Sequence, residues 1–206
     1  MTDTGSTTTY RQQLRKRIIA TSMTEFATKG VKAVKMDDIA QKLGISKRTL
    51  YELYENKEQL LHEGVMAHYE ERERQLNELM ERKLSVMDII LHIYKNAIND
   101  VKDITPVFFS DIVKYPAVLE FIEQSRERNQ QRMQDLLRQG TEEGAFIKGV
   151  NHELTSTLFN AMSDIIMQQK LYQKYSMKEV FQSIVFTSLR GICTQQGVSM
   201  LDELNI

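Results

Sequence analysis

The chain has 206 residues and a formal net charge of -1, and its 9 Gly and 2 Pro are 11 of 206, about 5% against an average nearer 12% for the two together. So few turn-makers exclude a strand-and-turn sandwich and imply long helices, and one cysteine, Cys193, excludes a disulfide-stapled secreted scaffold. The near-zero charge conceals an asymmetry: residues 1–62 hold 11 Lys+Arg against 7 Asp+Glu, a balance of +4, and the other 144 residues hold 16 against 21, a balance of -5. A basic head on an acidic body points to a polyanionic partner for the head alone, with chance scatter of surface charge as the alternative.

The opening MTDTGSTTTY has neither a basic start nor an apolar run, so residues 1–9 read as a disordered tail and the chain as cytoplasmic. The first predicted helix runs from Thr9, as N-cap, to Lys29, with Gly30 as its left-handed stop and Leu14, Ile18, Ile19, Met23 and Phe26 on one broad face. A short second helix follows, with Met36, Ile39, Ala40 and Leu43 at i, i+3, i+4 and i+7, ended by Gly44. Ser46 caps a third, KRTLYELY, which turns Leu50, Leu53 and Tyr54 inward and Lys47, Arg48, Tyr51, Glu52 and Glu55 outward. Asn56 caps a fourth that continues toward Leu79.

Beyond it, Ser85-x-x-Asp88, Thr105-Pro106, Tyr115-Pro116, Asn151 and Ser176-x-x-Glu179 each open a helix. The helix from Pro116 is predicted to run to about Glu143, the one from Asn151 to near Tyr172, and the last to about Gln195. The expectation is an all-α chain of about nine helices, with a head over residues 10–62 and a body over 63–206. The longest uncharged stretch near the C-terminus, Leu154 to Ser163, is far short of the ~20 residues a membrane span needs.

Two short helices joined at a tight glycine, the second presenting Lys47, Arg48, Thr49 and Tyr51 from its N-terminal half, have the organisation of a helix-turn-helix. Lys57, opening the next helix, adds a charge to an end that already favours anions. Arg48 can take guanine in bidentate fashion or touch phosphate. Glu52 can accept from a cytosine amino group, reject wrong sequences, or simply face solvent.

Residues 26–30 followed by MDDIAQKLGISKRTLYELYENKEQLL resemble the DNA-binding domain of the TetR family of transcriptional regulators, a resemblance that covers roughly residues 10–62. It implies phosphate contacts at Lys47, Tyr51 and Lys57 and base-proximal positions at Ser46, Lys47, Arg48 and Thr49. Three positions depart from the family pattern. Arg48 stands where Gly is frequent, Lys35 where a Thr or Ser usually caps the second helix and touches phosphate, and Glu52-Leu53 where a polar or aromatic pair is usual. Lys35 can still reach a phosphate but cannot cap.

For the body the resemblance implies an inducer cavity lined by helices and a homodimer through the last two long helices, about 151–172 and 176–195. Candidate pocket residues are Tyr69, Tyr94, Phe108, Phe109, Asp111, Phe159 and Met162, with His92, Asn96 and Asn160 as further polar groups; core packing is the competing role for each. The last two helices are apolar beyond a single face, as a shared interface requires.

Catalysis finds no support. His62, His68, His92 and His152 include no i, i+4 pair, no Gly-rich phosphate loop occurs, and Cys193 reads as a small core residue, so neither cofactor nor metal is expected. The resulting expectation is a ligand-responsive repressor on a palindromic operator. A constitutive regulator whose body is a protein interface, or a helical carrier or enzyme for apolar molecules, are the alternatives.

Overall fold

Helix initiation follows the side-chain caps. In the computed structural model, which describes residues 4–202, Ser46 Oγ accepts from the Thr49 N–H, Asn56 Oδ1 from Gln59, Ser85 Oγ from Asp88, Asn151 Oδ1 from Leu154 and Ser176 Oγ from Glu179. Each bond satisfies a backbone donor that helix geometry leaves unpaired. The helices are α1 (Thr4–Lys29), α2 (Met36–Leu43), α3 (Lys47–Tyr51), α4 (Lys57–Glu81), α5 (Val86–Val101), α6 (Pro106–Ile112), α7 (Pro116–Glu142) and α8 (His152–Gln168). A 3-10 turn (Leu171–Gln173) then leads to α9 (Met177–Val180), a π-helical turn (Phe181–Phe186), α10 (Thr187–Gly191) and α11 (Gln195–Asp202). Among the described residues no strand forms, and Phe146 and Cys193 make one isolated antiparallel bridge. The fold is all-α, with an N-terminal helix-turn-helix followed by a helical body.

Several boundaries differ from the sequence reading. α1 begins at Thr4, so Thr9 lies inside the helix rather than at its cap; of the expected tail, residues 1–3 lie outside the described residues. No Pro interrupts residues 4–9, and extending a helix already anchored by Leu14 and Ile18 costs little per residue. α8 stops at Gln168 because Lys170 adopts a left-handed φ of 50°. The last predicted helix ends at Gly191, and α11 is a separate helix: the Thr194 hydroxyl accepts from the Gly197 N–H and donates to the Gly144 carbonyl, turning the chain.

The chain divides into two compact units, one of residues 1–71 with 104–121 and the other of residues 72–103 with 122–206. The first therefore reaches past the boundary drawn at residue 62 and takes in α6, more than thirty residues further along the chain. Its core is Leu14, Ile18, Phe26, Ile39, Leu50, Tyr54, Leu60 and Leu61. α6 is tied to the end of α1: the backbone N–H and hydroxyl of Thr105 both donate to the Ala27 carbonyl at 2.9 Å, and the Asp111 carboxylate accepts from the Lys32 N–H at 2.8 Å. The second unit packs Val86, Met87, Leu136, Leu137, Phe146, Leu189 and Leu201 into one cluster.

Candidate nucleic-acid interface and body pocket

The turn between α2 and α3 rests on Gly44 at φ 66°, where the Gly44 N–H donates to Gln41 O and the Ile45 N–H to Ala40 O. This pair of bonds is a Schellman ending, which favours a residue free to occupy the left-handed region. At the other end of α2 the Lys35 N–H donates to the Asp38 carboxylate at 3.2 Å. The Lys35 ammonium, having no acceptor lone pair, supplies no cap in return, as its residue type required.

Burial of Leu50, Leu53 and Tyr54 fixes which side of α3 faces outward. Ser46, Lys47, Arg48 and Tyr51 are exposed, and Thr49 is half-buried beside the Ser46 hydroxyl, 2.8 Å away. Two cations on this face carry their own counter-ions. Lys47 pairs with Asp37 of α2, and Arg48, its side chain 88% exposed, with Glu52 at 2.8 Å; both partners raise the pKa of their cation through the hydrogen bond first and the charge second. Exposed pairs of this kind contribute little, so a phosphate or guanine edge can displace the carboxylate. Glu52→Gln is expected to tighten non-specific duplex binding and to steepen the log K against log salt slope by ~1, as Arg48 becomes free for a phosphate. A titration of an arbitrary duplex at several salt concentrations reads both.

Lys57 is half-buried. Its ammonium donates to the carbonyls of Lys32 at 3.2 Å and Val34 at 3.0 Å, spending two of three donors on the link between α1 and α2. Burial pushes its pKa down, with the Asp111 carboxylate opposing. Arg15 holds the same unit from another side: its Nη2 donates to both carboxylate oxygens of Glu63 at 2.9 Å, and its guanidinium lies 4.9 Å over the Tyr54 ring.

The body unit contains a pocket of about 120 Å³. Ile90, Ile93, Tyr94 and Ala97 of α5, at i, i+3, i+4 and i+7, form one wall. Met133 and Leu137 of α7 and Phe159 of α8 form a second, and Phe181, Val185 and Leu189 close it. Of the candidates named from sequence, Tyr94 and Phe159 line this pocket. Met162 is buried in α8 outside its lining, and the other four belong to the first unit. There Tyr69 packs edge-on against Phe121 and Phe108 against Phe109, while Asp111 is committed to Lys32 and Lys114. Met133 aside, the remaining lining residues are plain aliphatic or aromatic side chains, and helical periodicity marks these only as inward-facing.

Burial pushes the Cys193 thiol up to about 11, which keeps it protonated and a poor nucleophile at neutral pH. Among the described residues no group of three or more His, Cys, Asp or Glu could hold a metal ion, and no helix is long and apolar enough to cross a membrane.

A capped helix-turn-helix with an exposed cationic first turn, followed by a helical body, defines a DNA-binding protein. Residues 18–63 match the family model described as bacterial regulatory proteins, tetR family. No curated protein matches the chain in sequence. Three solved structures share its fold. A TetR-family transcriptional regulator from Agrobacterium tumefaciens is 16% identical, with 89% of this chain and 100% of that chain covered and a TM-score of 0.69. The ketosteroid transcriptional regulator KstR2 of Mycobacterium tuberculosis is 18% identical over 88% and 95%, with a TM-score of 0.59. A protein from Saccharomonospora viridis, described as a transcriptional regulator and solved in complex with choline, is 16% identical over 89% and 100%, with a TM-score of 0.68. The head thus matches the tetR family model over residues 18–63, and the chain shares the fold of these regulators.

Proposed function

We propose that the protein is a homodimeric repressor whose two heads bind a palindromic operator in double-stranded DNA and release it when a small-molecule inducer occupies the body. The observation that carries the DNA reading is the exposed first turn of α3, where Ser46, Lys47, Arg48 and Tyr51 stand out from a buried Leu50–Leu53–Tyr54 face. In a helix-turn-helix that turn meets the base edges. Lys35, Lys47 and Tyr51 take phosphates, Ser46 and Thr49 lie beside the bases, and Arg48 reads one base pair. Lys57 offers its third donor to a phosphate.

The apolar pocket supports an inducer, and so does the choline bound to the S. viridis protein. An inducer acts only through different affinities for the DNA-competent and released conformations. Dimerisation is supported by α8, where Leu154, Leu158 and Ile165 are 68%, 52% and 47% exposed on one stripe with the half-buried Ala161.

Selection of bound sequences from a random duplex pool tests the reading and should enrich a palindrome. Against that operator, Arg48→Ala shifts preference at one base pair by about 1 to 3 kcal/mol, whereas Lys57→Ala weakens all duplexes and lowers the salt slope by ~1. An unstructured pool, or equal loss across all operator variants for Arg48→Ala, would contradict it.

A further inference from the structure

The positive charge of the head is not spread evenly over its helix-turn-helix. Residues 25–62, which hold that whole motif, carry 7 Lys+Arg against 6 Asp+Glu, a balance of +1, whereas residues 4–24 carry Arg11, Arg15, Lys16 and Arg17 and no acidic residue, a balance of +4. On α3 the two leading cations are already matched, Lys47 by Asp37 and Arg48 by Glu52. On this part of α1 only Arg15 is matched, by Glu63. Arg11, Lys16 and Arg17 are exposed, and among the described residues none of the three makes an ion pair or a side-chain hydrogen bond. An approaching polyanion therefore meets three uncompensated cations within about two turns of one helix.

Their neighbours suit a phosphate backbone. The exposed Tyr10, Gln12 and Gln13 add hydrogen-bond donors of the kinds that hold DNA phosphates, and no carboxylate stands among them. The patch is also tied to the end of α3. Arg15 bonds Glu63 in the second turn of α4, and its guanidinium lies 4.9 Å over the ring of Tyr54, three residues beyond the exposed Tyr51. Arg11 stands three and seven residues before the buried Leu14 and Ile18, so it continues their stripe one turn past the core, about 6 Å along the axis from Arg15. The free cations thus lie beside the junction of α3 and α4.

We infer that Arg11, Lys16 and Arg17 form a second DNA-contacting surface, which holds sugar-phosphate backbone outside the base pairs read by α3 and reads no base itself. This rests on the DNA-binding reading of the head. Attraction to any duplex then comes in large part from α1, while α3, its cations paired until a correct site displaces their carboxylates, supplies sequence preference.

Salt titration of the full chain on an arbitrary duplex, together with phosphate-ethylation interference on its operator, tests it in the triple variant Arg11→Gln/Lys16→Gln/Arg17→Gln. Glutamine keeps helix propensity and all three side chains are exposed, so the melting temperature should not change. The variant should bind every duplex at least tenfold more weakly at low salt, with the log K against log salt slope shallower by about 2 or more and the ranking of operator variants preserved. A set of phosphates whose ethylation blocks the wild type should no longer matter to the variant. Arg11→Lys/Arg17→Lys should bind as the wild type does, because the backbone contact needs charge and not a guanidinium fork. An unchanged slope, an unchanged interference pattern or an altered base preference would overturn the inference. So would unchanged duplex binding with lost binding to phosphatidylglycerol vesicles, which would assign the patch to a membrane surface. Failure of the wild type to enrich any sequence from a random pool would instead overturn the operator reading, and the titration on the arbitrary duplex would still decide the role of α1.

Discussion

Gly30→Ala should destabilise the head by about 3 to 5 kcal/mol and lower operator affinity at least tenfold, the largest effect expected of any single methyl group in that unit. Two costs coincide there. Gly30 has φ 81°, a region where a Cβ meets its own carbonyl at ~1–2 kcal/mol, and an added Cβ would also lie 2.5 Å from Val107 Cγ1 and 2.9 Å from Asp111 Oδ2. Asp111 cannot yield freely, because it is held by the Lys32 N–H at 2.8 Å and by Lys114 at 2.7 Å. Gly44→Ala is the control. It has φ 66° with nothing within 4 Å of an added Cβ, so it carries the backbone cost alone, about 1 kcal/mol. Hydrogen exchange of the α1–α3 amides separates the two variants, and equal protection in both would remove the α6 contact from the account.

The same contact makes the head acid-sensitive. Burial alone would raise the Asp111 pKa, but the bonds from Lys114 and the Lys32 N–H outweigh it and hold the carboxyl below its ordinary 3.8. A depressed carboxylate contributes stability that is present above its unfolded pKa and lost as pH falls through the folded one. The head should therefore loosen from about pH 4 downward, and less steeply in Asp111→Asn, which keeps an acceptor for Lys32 but gives up the charge facing Lys114.

This junction also marks how far the sequence could be read. Caps at Ser46, Asn56, Ser85, Asn151 and Ser176 are local: a side chain answers a backbone donor three residues away, so residue type and spacing suffice to place them. The inward set Leu50, Leu53 and Tyr54 follows equally from helical period. Asp111 is another matter. A carboxylate among aromatic residues in a predicted helix suits a ligand pocket as well as a clamp, and the partner that decides, the Lys32 N–H, is 79 positions away in sequence. Lys57 likewise promised charge at a helix start, and its turn toward the Lys32 and Val34 carbonyls depends on how α1, α2 and α4 meet. The π-helical turn at 181–186 has no breaker or cap to announce it; packing of Phe181 and Phe186 on Tyr94 accompanies it.

Leu158→Asp should convert the proposed dimer to a monomer and reduce operator affinity by two orders of magnitude or more. Leu154, Leu158, Ala161 and Ile165 recur at intervals of four, three and four along α8, the spacing of a seam that packs against another helix. An exposed apolar seam of this kind is unfavourable for an isolated protein, and Leu158 stands near its middle, where interface side chains are most completely desolvated. In a two-fold interface each substitution occurs twice, so burying two carboxylates forfeits the apolar contact on both sides and adds like-charge repulsion, about 4 to 8 kcal/mol in total. The exposure of Leu158 in the single chain, 52%, means that its own fold loses little. Operator affinity falls because two heads on one dimer bind their half-sites as a unit, and separated heads must each bind from solution. Sedimentation equilibrium reads the first effect and operator titration the second. A Leu158→Asp protein that stays dimeric would move the interface off α8, whereas a monomer that still holds the full operator as tightly as wild type would mean that the two heads never acted together.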